Sequence, residues 1–256
     1  MTGRTMCVAF GAVFLSLLLV GCSGGNDEPA AVPTTGVEVC DELDRTERFR
    51  YVFDYAIESP QQEPPPTDVA VEGPGYAISP SAGSFRFAQK FDGAFVQPDR
   101  ADYEISTPGE PNRPTVRGIR IGPSQYYLLG DRWQVAPEPP AFPFAPPAVC
   151  DAIVSPLDLT GKGGGIEDVG GTAARHIRLE GVPLPVMSQL FGPASDMGRL
   201  LTNFDVDLWL SEKDASLVKV EATSKANYPF GRELSAHLVL EVSSHNDDDI
   251  EIQPPV

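Results

Sequence analysis

Basic side chains are in deficit: 19 lysines and arginines stand against 36 aspartates and glutamates in 256 residues, a formal charge of −17. Nucleic-acid binding depends on cations that displace counterions from phosphates, so this balance excludes a nucleic-acid partner. It also excludes attachment to an anionic lipid surface through a basic patch. The uncharged stretch Met6 to Val20 has 15 residues, fewer than the roughly 20 that span a bilayer. Histidine is scarce, and His176, His237 and His245 stand far apart. Neither they nor the four cysteines have partners at metal-ligand spacing, so no metal and no cofactor is expected.

Catalytic signatures are missing too. There is no His-Glu-x-x-His and no glycine pattern for a dinucleotide. Gly161–Gly165 lacks the spacing and the final Ser or Thr of a phosphate loop. One Ser-x-x-Lys occurs, Ser216 to Lys219, but on an expected strand its odd spacing sends the two side chains to opposite faces. Ser195-Asp196-Met197 fails the companion Ser-Asp-Asn pattern. Asp205 and Asp207 share a strand face, which reads as a solvated outer surface. The expectation is a protein without enzymatic activity.

What is present begins at the N-terminus. Arg4 precedes an uncharged stretch, Met6 to Val20, short enough to be the core of a signal peptide. Leu19-Val20-Gly21-Cys22 follows and resembles the bacterial lipobox, in which the cysteine thiol takes a diacylglyceryl group before cleavage. Residues 1–21 are therefore expected to be a lipoprotein signal peptide, with acyl chains of the palmitate type anchoring Cys22 to the outer side of the cell membrane. Cleavage removes one basic residue, Arg4, and leaves 18 basic against 36 acidic side chains, a charge of −18. Residues 22–36 read as a flexible tether that holds the domain about 20 Å from the bilayer. The domain is expected to fill residues 37–256 as a monomer.

Of the remaining cysteines, Cys7 leaves with the signal peptide, so Cys40 and Cys150 form the available pair. Outside the cytoplasm a disulfide is the default, and two buried free thiols are the alternative.

The body reads as a succession of strands. Phe49, Tyr51, Phe53, Tyr55 and Ile57 alternate with polar residues, the mark of a half-buried antiparallel strand. Short strands are expected over Ser84–Lys90, Ala94–Gln97, Ala101–Ser106, Thr115–Ile121, Gln125–Leu129 and Trp133–Ala136, with a turn at Lys90–Gly93. Ser59–Pro80 reads as a long loop. Pro137–Pro147 lacks a backbone donor at six of its eleven positions, which bars it from a helix interior or a central strand. Phe142 and Phe144 are expected to pin that segment to the core. Ala148–Leu159 is a candidate short helix, Ala173–Glu180 a strand, and Val186–Asn203 two short helices broken at Gly192-Pro193. Phe204–Ser211, Ser216–Ser224 and Leu234–Ser243 are strands, and Asn246–Asp249 is a solvated turn leading to a short strand at Ile250–Ile252.

The hairpin Val206 to Val220, the C-terminal strand that ends in Ile250-Glu251-Ile252-Gln253-Pro254-Pro255, and Ile119 through Tyr126-Tyr127-Leu128-Leu129 to Trp133, together with the lipobox, carry a resemblance. They are similar to the LolA-like superfamily, in its LppX/LprG/LprA-type lipid-binding branch. The resemblance implies an α+β fold: a strongly curved antiparallel half-barrel of about ten strands, with short helices covering a concave apolar face. It further implies an apolar cavity for a lipid or acylated ligand and a role in lipid binding or lipid transport. The lining would come from Phe49, Tyr51, Phe53, Tyr55, Ile57, Phe204, Val206, Leu208, Leu210, Leu238 and Leu240. The competing expectation is a non-enzymatic envelope module that binds another protein and has a filled core. The two proline-rich loops are absent from the family pattern and stand where they would reshape a cavity mouth.

Overall fold

A computed structural model describes residues 31–59, 85–110, 112–136, 144–191, 196–228 and 232–255. The signal peptide, Cys22, most of the tether, Phe142 and most of both proline-rich loops lie outside the described residues.

Eleven strands form one open antiparallel sheet. In chain order they are β1 (Arg48–Ser59), β2 (Phe85–Val96), β3 (Arg100–Ser106), β4 (Val116–Ile121), β5 (Ser124–Leu129), β6 (Arg132–Val135), β7 (Ile166–Val169), β8 (Thr172–Pro183), β9 (Asn203–Ser211), β10 (Leu217–Tyr228) and β11 (Arg232–Ser243). Four short helices accompany them: α1 (Gly36–Arg45), α2 (Pro146–Ile153), α3 (Val186–Phe191) and α4 (Asp196–Leu200). The order across the sheet is β6-β5-β4-β3-β2-β1-β11-β10-β9-β8-β7. β1–β6 are laid down outward in one direction, and β7–β11 return inward until β11 closes on β1. This is the curved half-barrel expected, with eleven strands in place of about ten.

Period two explains the sheet's two faces. In β1 the buried residues alternate with partly exposed ones from Phe49 to Ile57, and β9 does the same from Phe204 to Leu210. Cross-strand register then joins the inner residues into rows: Phe53 faces Leu240, Leu240 faces Val220, and Val220 faces Leu208. Burying one such aliphatic or aromatic side chain stabilises by about 1.5–3 kcal/mol. A slip of one residue would turn each strand's apolar set outward, so the buried face enforces the register.

The helices lie on the inner face. α1 presents Val39, Cys40 and Leu43 to the core, and α2 presents Val149, Cys150, Ala152 and Ile153. α1 and α4 rest on β10. A capping box opens α1: the Thr35 hydroxyl accepts from the Glu38 backbone N–H at 3.3 Å while Glu38 reaches back to the Thr35 N–H. Backbone bonds from Gly36 to Leu157 and from Leu159 to Thr34, both 2.9 Å, tie the entry of α1 to the exit of α2. Cys40 and Cys150 are bonded, with Cα atoms 5.8 Å apart, so the disulfide staples α1 to α2.

Several expectations need correction. The expected turn at Lys90–Gly93 does not exist, and β2 runs unbroken through it. Gly93 is there because β3 approaches closely: a Cβ would stand 2.2 Å from the Asp102 carbonyl oxygen. α1 and β7 were not anticipated. α2 starts at Pro146, inside the proline segment, because prolines at the first helical positions have no N–H to lose. Ile250–Ile252 is not a strand: no ladder forms, although Ile250 and Ile252 are buried. Asn246 instead fixes this turn to the start of β1, accepting from the Glu47 backbone N–H at 2.8 Å.

Candidate functional site

All eleven expected lining residues fall on the inner face and belong to one continuous buried cluster. β1 supplies Phe49, Tyr51, Phe53, Tyr55 and Ile57, β9 supplies Phe204, Val206, Leu208 and Leu210, and β11 supplies Leu238 and Leu240. They are packed within that cluster, to which α1 and α2 also contribute. Phe144 pins the end of the proline segment as expected, stacking on Phe91, Tyr55 and Phe53 with ring centroids 5.0, 5.2 and 5.8 Å away. Such aromatic pairs add about 0.5–1.5 kcal/mol beyond their buried area.

The inner face is not uniform. Over β8–β11 it is almost wholly aliphatic, and over β1 and β2 it is aromatic. Over β3–β5 it becomes polar, with Tyr103, Arg120, Gln125 and Tyr127 sharing a side. Register places these residues in a row that sequence reading had not anticipated. Tyr51 faces Gly93, Gly93 faces Tyr103, Tyr103 faces Gly118, and Gly118 faces Tyr127. The Tyr103 ring lies over Gly118, whose missing Cβ would stand only 2.5 Å from the ring's Cζ. A tyrosine opposite a glycine in each of several strands is the signal that could have revealed the row.

The inner hydroxyls are not equally satisfied. Tyr55 Oη donates to Gln89 Oε1 at 2.7 Å. Tyr103 Oη accepts from Gln125 Nε2 and is bonded to Tyr127 as well. Among the described residues Tyr51 Oη is buried with no partner, and so is Gln125 Oε1. Burial pushes the ionisation of Tyr51, Tyr55 and Tyr103 well above the ordinary phenol range, so all three are neutral hydroxyls at physiological pH.

The outer face carries the charge. Trp209 is sandwiched between His176, 4.5 Å away and parallel within 4°, and the Lys219 ammonium, 4.9 Å from the ring. His176 bonds Glu167 through Nδ1 at 3.1 Å and Asp207 through Nε2 at 2.7 Å, while Trp209 donates to Glu167 at 3.0 Å. His237 bonds Glu221 at 2.9 Å. Asp207 and Asp205 thus lie on the outer face as expected, Asp205 accepting from the Gly181 N–H at 2.9 Å, where β8 bulges. Ser216 stands in a turn with its hydroxyl on Asp214 at 2.7 Å, and Lys219 pairs with Glu221 at 3.2 Å. Among the described residues no cluster of three or more His, Cys, Asp or Glu has metal-binding geometry. An open cleft of about 560 Å³ crosses the outer face, lined by Asp54, Glu58, Arg86, Asp205, Lys225 and His237.

No protein-family model matches the chain, and no curated protein matches it. Solved structures do. The lipoprotein LppX from Mycobacterium tuberculosis is 12% identical with a TM-score of 0.46, over 85% of this chain and 96% of that one. LprF from Mycobacterium bovis is 11% identical with a TM-score of 0.48, over 86% and 95%. A LolA superfamily protein from Nitrosomonas europaea is 11% identical with a TM-score of 0.29, over 86% and 96%. At these identities no residue's role passes from them to this chain.

Proposed function

We propose that the protein is an extracytoplasmic lipoprotein, held at a membrane by acyl chains on Cys22, that binds or carries a lipid or acylated molecule against the inner face of its sheet. No covalent chemistry is required of it. The observation that carries this reading is the amphiphilic inner face. One half is aliphatic and aromatic, the other holds neutral hydroxyls, an amide and a guanidinium; Gln125 Oε1 in the polar half and Tyr51 Oη at its border are buried without a partner among the described residues. An ordinary core leaves few such atoms unsatisfied, whereas a face that receives a ligand with an apolar body and a polar end leaves them for the ligand. The lipobox at Leu19–Cys22 supports the location, because it would keep such a site beside the bilayer from which cargo comes. The acidic surface supports it as well, since it keeps a tethered domain soluble and off an anionic membrane.

Native mass spectrometry of the full-length protein released from membranes in mild detergent tests the reading. The expected result is a covalent mass increment on a chain beginning at Cys22, plus a non-covalent lipid adduct. A protein that emerges unacylated and empty would refute it. The second reading is a protein-binding module. It is favoured by the packing of all eleven lining residues within one core cluster and by the open charged cleft on the outer face. It expects an empty inner face and a co-purifying protein.

A further inference from the structure

The polar end of the inner face narrows the class of ligand. Gln125 is 2% exposed. Its amide is oriented, because Nε2 donates to Tyr103 Oη while the Tyr103 hydroxyl is also engaged by Tyr127. The carbonyl oxygen is left buried without a donor. Tyr51, also 2% exposed, has a hydroxyl close enough to Tyr103 to be influenced by it, and that hydroxyl is buried without an acceptor. Leaving such groups unmade is expensive, so this pocket of the face is complete only when something accepts from Tyr51 and donates to Gln125.

A cation stands beside them. Arg120 on β4 is the cross-strand partner of Gln125 on β5, is half-buried, and is near enough to ease the ionisation of Tyr103. Its Nε donates to the Gly122 carbonyl at 3.2 Å. No carboxylate among the described residues pairs with it, although acidic residues outnumber basic ones almost two to one in this chain. A half-buried guanidinium without a counter-charge presents a planar fork of donors suited to a phosphate or carboxylate.

We infer that the inner face of β3–β5 is a head-group site for an anionic, hydroxylated glycerophospholipid. The inference rests on the lipid-binding reading and deepens it. The acyl chains lie toward the apolar half at β1 and β11. The phosphate accepts from Arg120 and from the Tyr51 hydroxyl, and a head-group hydroxyl donates to Gln125 Oε1. A zwitterionic head with no hydroxyl satisfies Arg120 at best and leaves Gln125 unpaired.

The test uses the full-length protein in detergent micelles doped with equal amounts of dioleoylphosphatidylglycerol and dioleoylphosphatidylcholine, read by native mass spectrometry. The phosphatidylglycerol adduct is expected to exceed the phosphatidylcholine adduct by about fivefold, the scale of one hydrogen bond between neutral groups, here the head-group hydroxyl on Gln125 Oε1. The chain's own charge of −17 repels anionic heads, so such a preference cannot arise from general surface attraction. Arg120→Gln is expected to lower both adducts, since both lipids carry the phosphate, whereas Gln125→Met, which removes the acceptor for the head-group hydroxyl, is expected to bring the two adducts to parity. Tyr51→Phe is expected to lower phosphatidylglycerol occupancy without lowering the melting temperature, since it removes a hydroxyl that has no partner in the free protein. Equal loading by the unmodified protein, or a preference that survives Gln125→Met, overturns the head-group site alone. A folded protein that takes up neither lipid overturns the lipid reading together with it.

Discussion

Gly118→Ala puts the tyrosine row to a direct energetic test. The added methyl would stand 2.5 Å from Cζ, 2.6 Å from Oη and 2.7 Å from Cε2 of Tyr103. Ordinary contact begins at 3.4 Å, so the ring or the strand must retreat by about 0.9 Å. The strand is held by ladders on both sides, to β3 and to β5. The ring is 1% exposed, packs on Phe91 at 6.3 Å and is bonded to Gln125. Overpacking of this kind costs about 1–3 kcal/mol, and a strained or lost hydrogen bond adds about 1 kcal/mol. Replacing glycine restricts the unfolded chain and returns about 0.4–1 kcal/mol. The net expectation is a loss of about 2 kcal/mol, measured from urea unfolding followed by tryptophan fluorescence with the disulfide intact. Tyr103→Leu shortens the side chain that clashes, so Gly118→Ala on that background should cost under about 0.5 kcal/mol, a coupling of about 1.5 kcal/mol in the double-mutant cycle. If the substitution costs the same with and without the tyrosine ring, the slot argument is wrong.

The remaining predictions concern the elements around that face. Replacing Cys40 and Cys150 by serine opens a loop of 110 residues and should lower stability by about 2–5 kcal/mol; an unfolding midpoint that ignores dithiothreitol would show that the staple contributes nothing. Thr35→Ala removes one half of the α1 capping box and should cost about 1 kcal/mol, a figure that equal thermal midpoints would contradict. Burial holds the His245 imidazole below its usual 6.5, against the opposing pull of Asp214. The unfolded chain therefore takes up a proton first, so stability should fall as pH drops below about 6.5 and level off once the lowered folded value is passed. His245→Gln should flatten that part of the profile relative to the parent protein, and parallel profiles between about pH 7.5 and 5.5 would remove His245 as the cause.

Much of the sheet could be read directly. β1, β9 and β11 announce themselves because alternation is a property of the extended backbone itself, and four or five alternating apolar residues leave no competing period. β2 was misread because Asp92-Gly93 has turn composition, and only the neighbouring strand reveals that the glycine admits a close backbone approach. α1 is ten residues long, but Thr35 and Glu38 at capping-box spacing were available as a signal and went unread. β7 is four residues of mixed character paired only with β8, too short for a period to show.

The site divides in the same way. The eleven apolar residues of the inner face are legible because each strand's period assigns them to one side without reference to any other strand. The cysteine pair is legible by elimination, and the lipidated cysteine is expected from a contiguous motif. The polar end is different: Tyr51, Tyr103, Arg120 and Gln125 come from four separate strands, and nothing local to Tyr51 or Gln125 marks an atom of it as unsatisfied. Their meeting follows from register, which is set by burying whole apolar faces together, and the unmet Tyr51 hydroxyl and Gln125 carbonyl are properties of everything packed around them. A local backbone period is written in a few consecutive residues, whereas the satisfaction of a buried donor or acceptor is decided only when distant strands have been brought side by side.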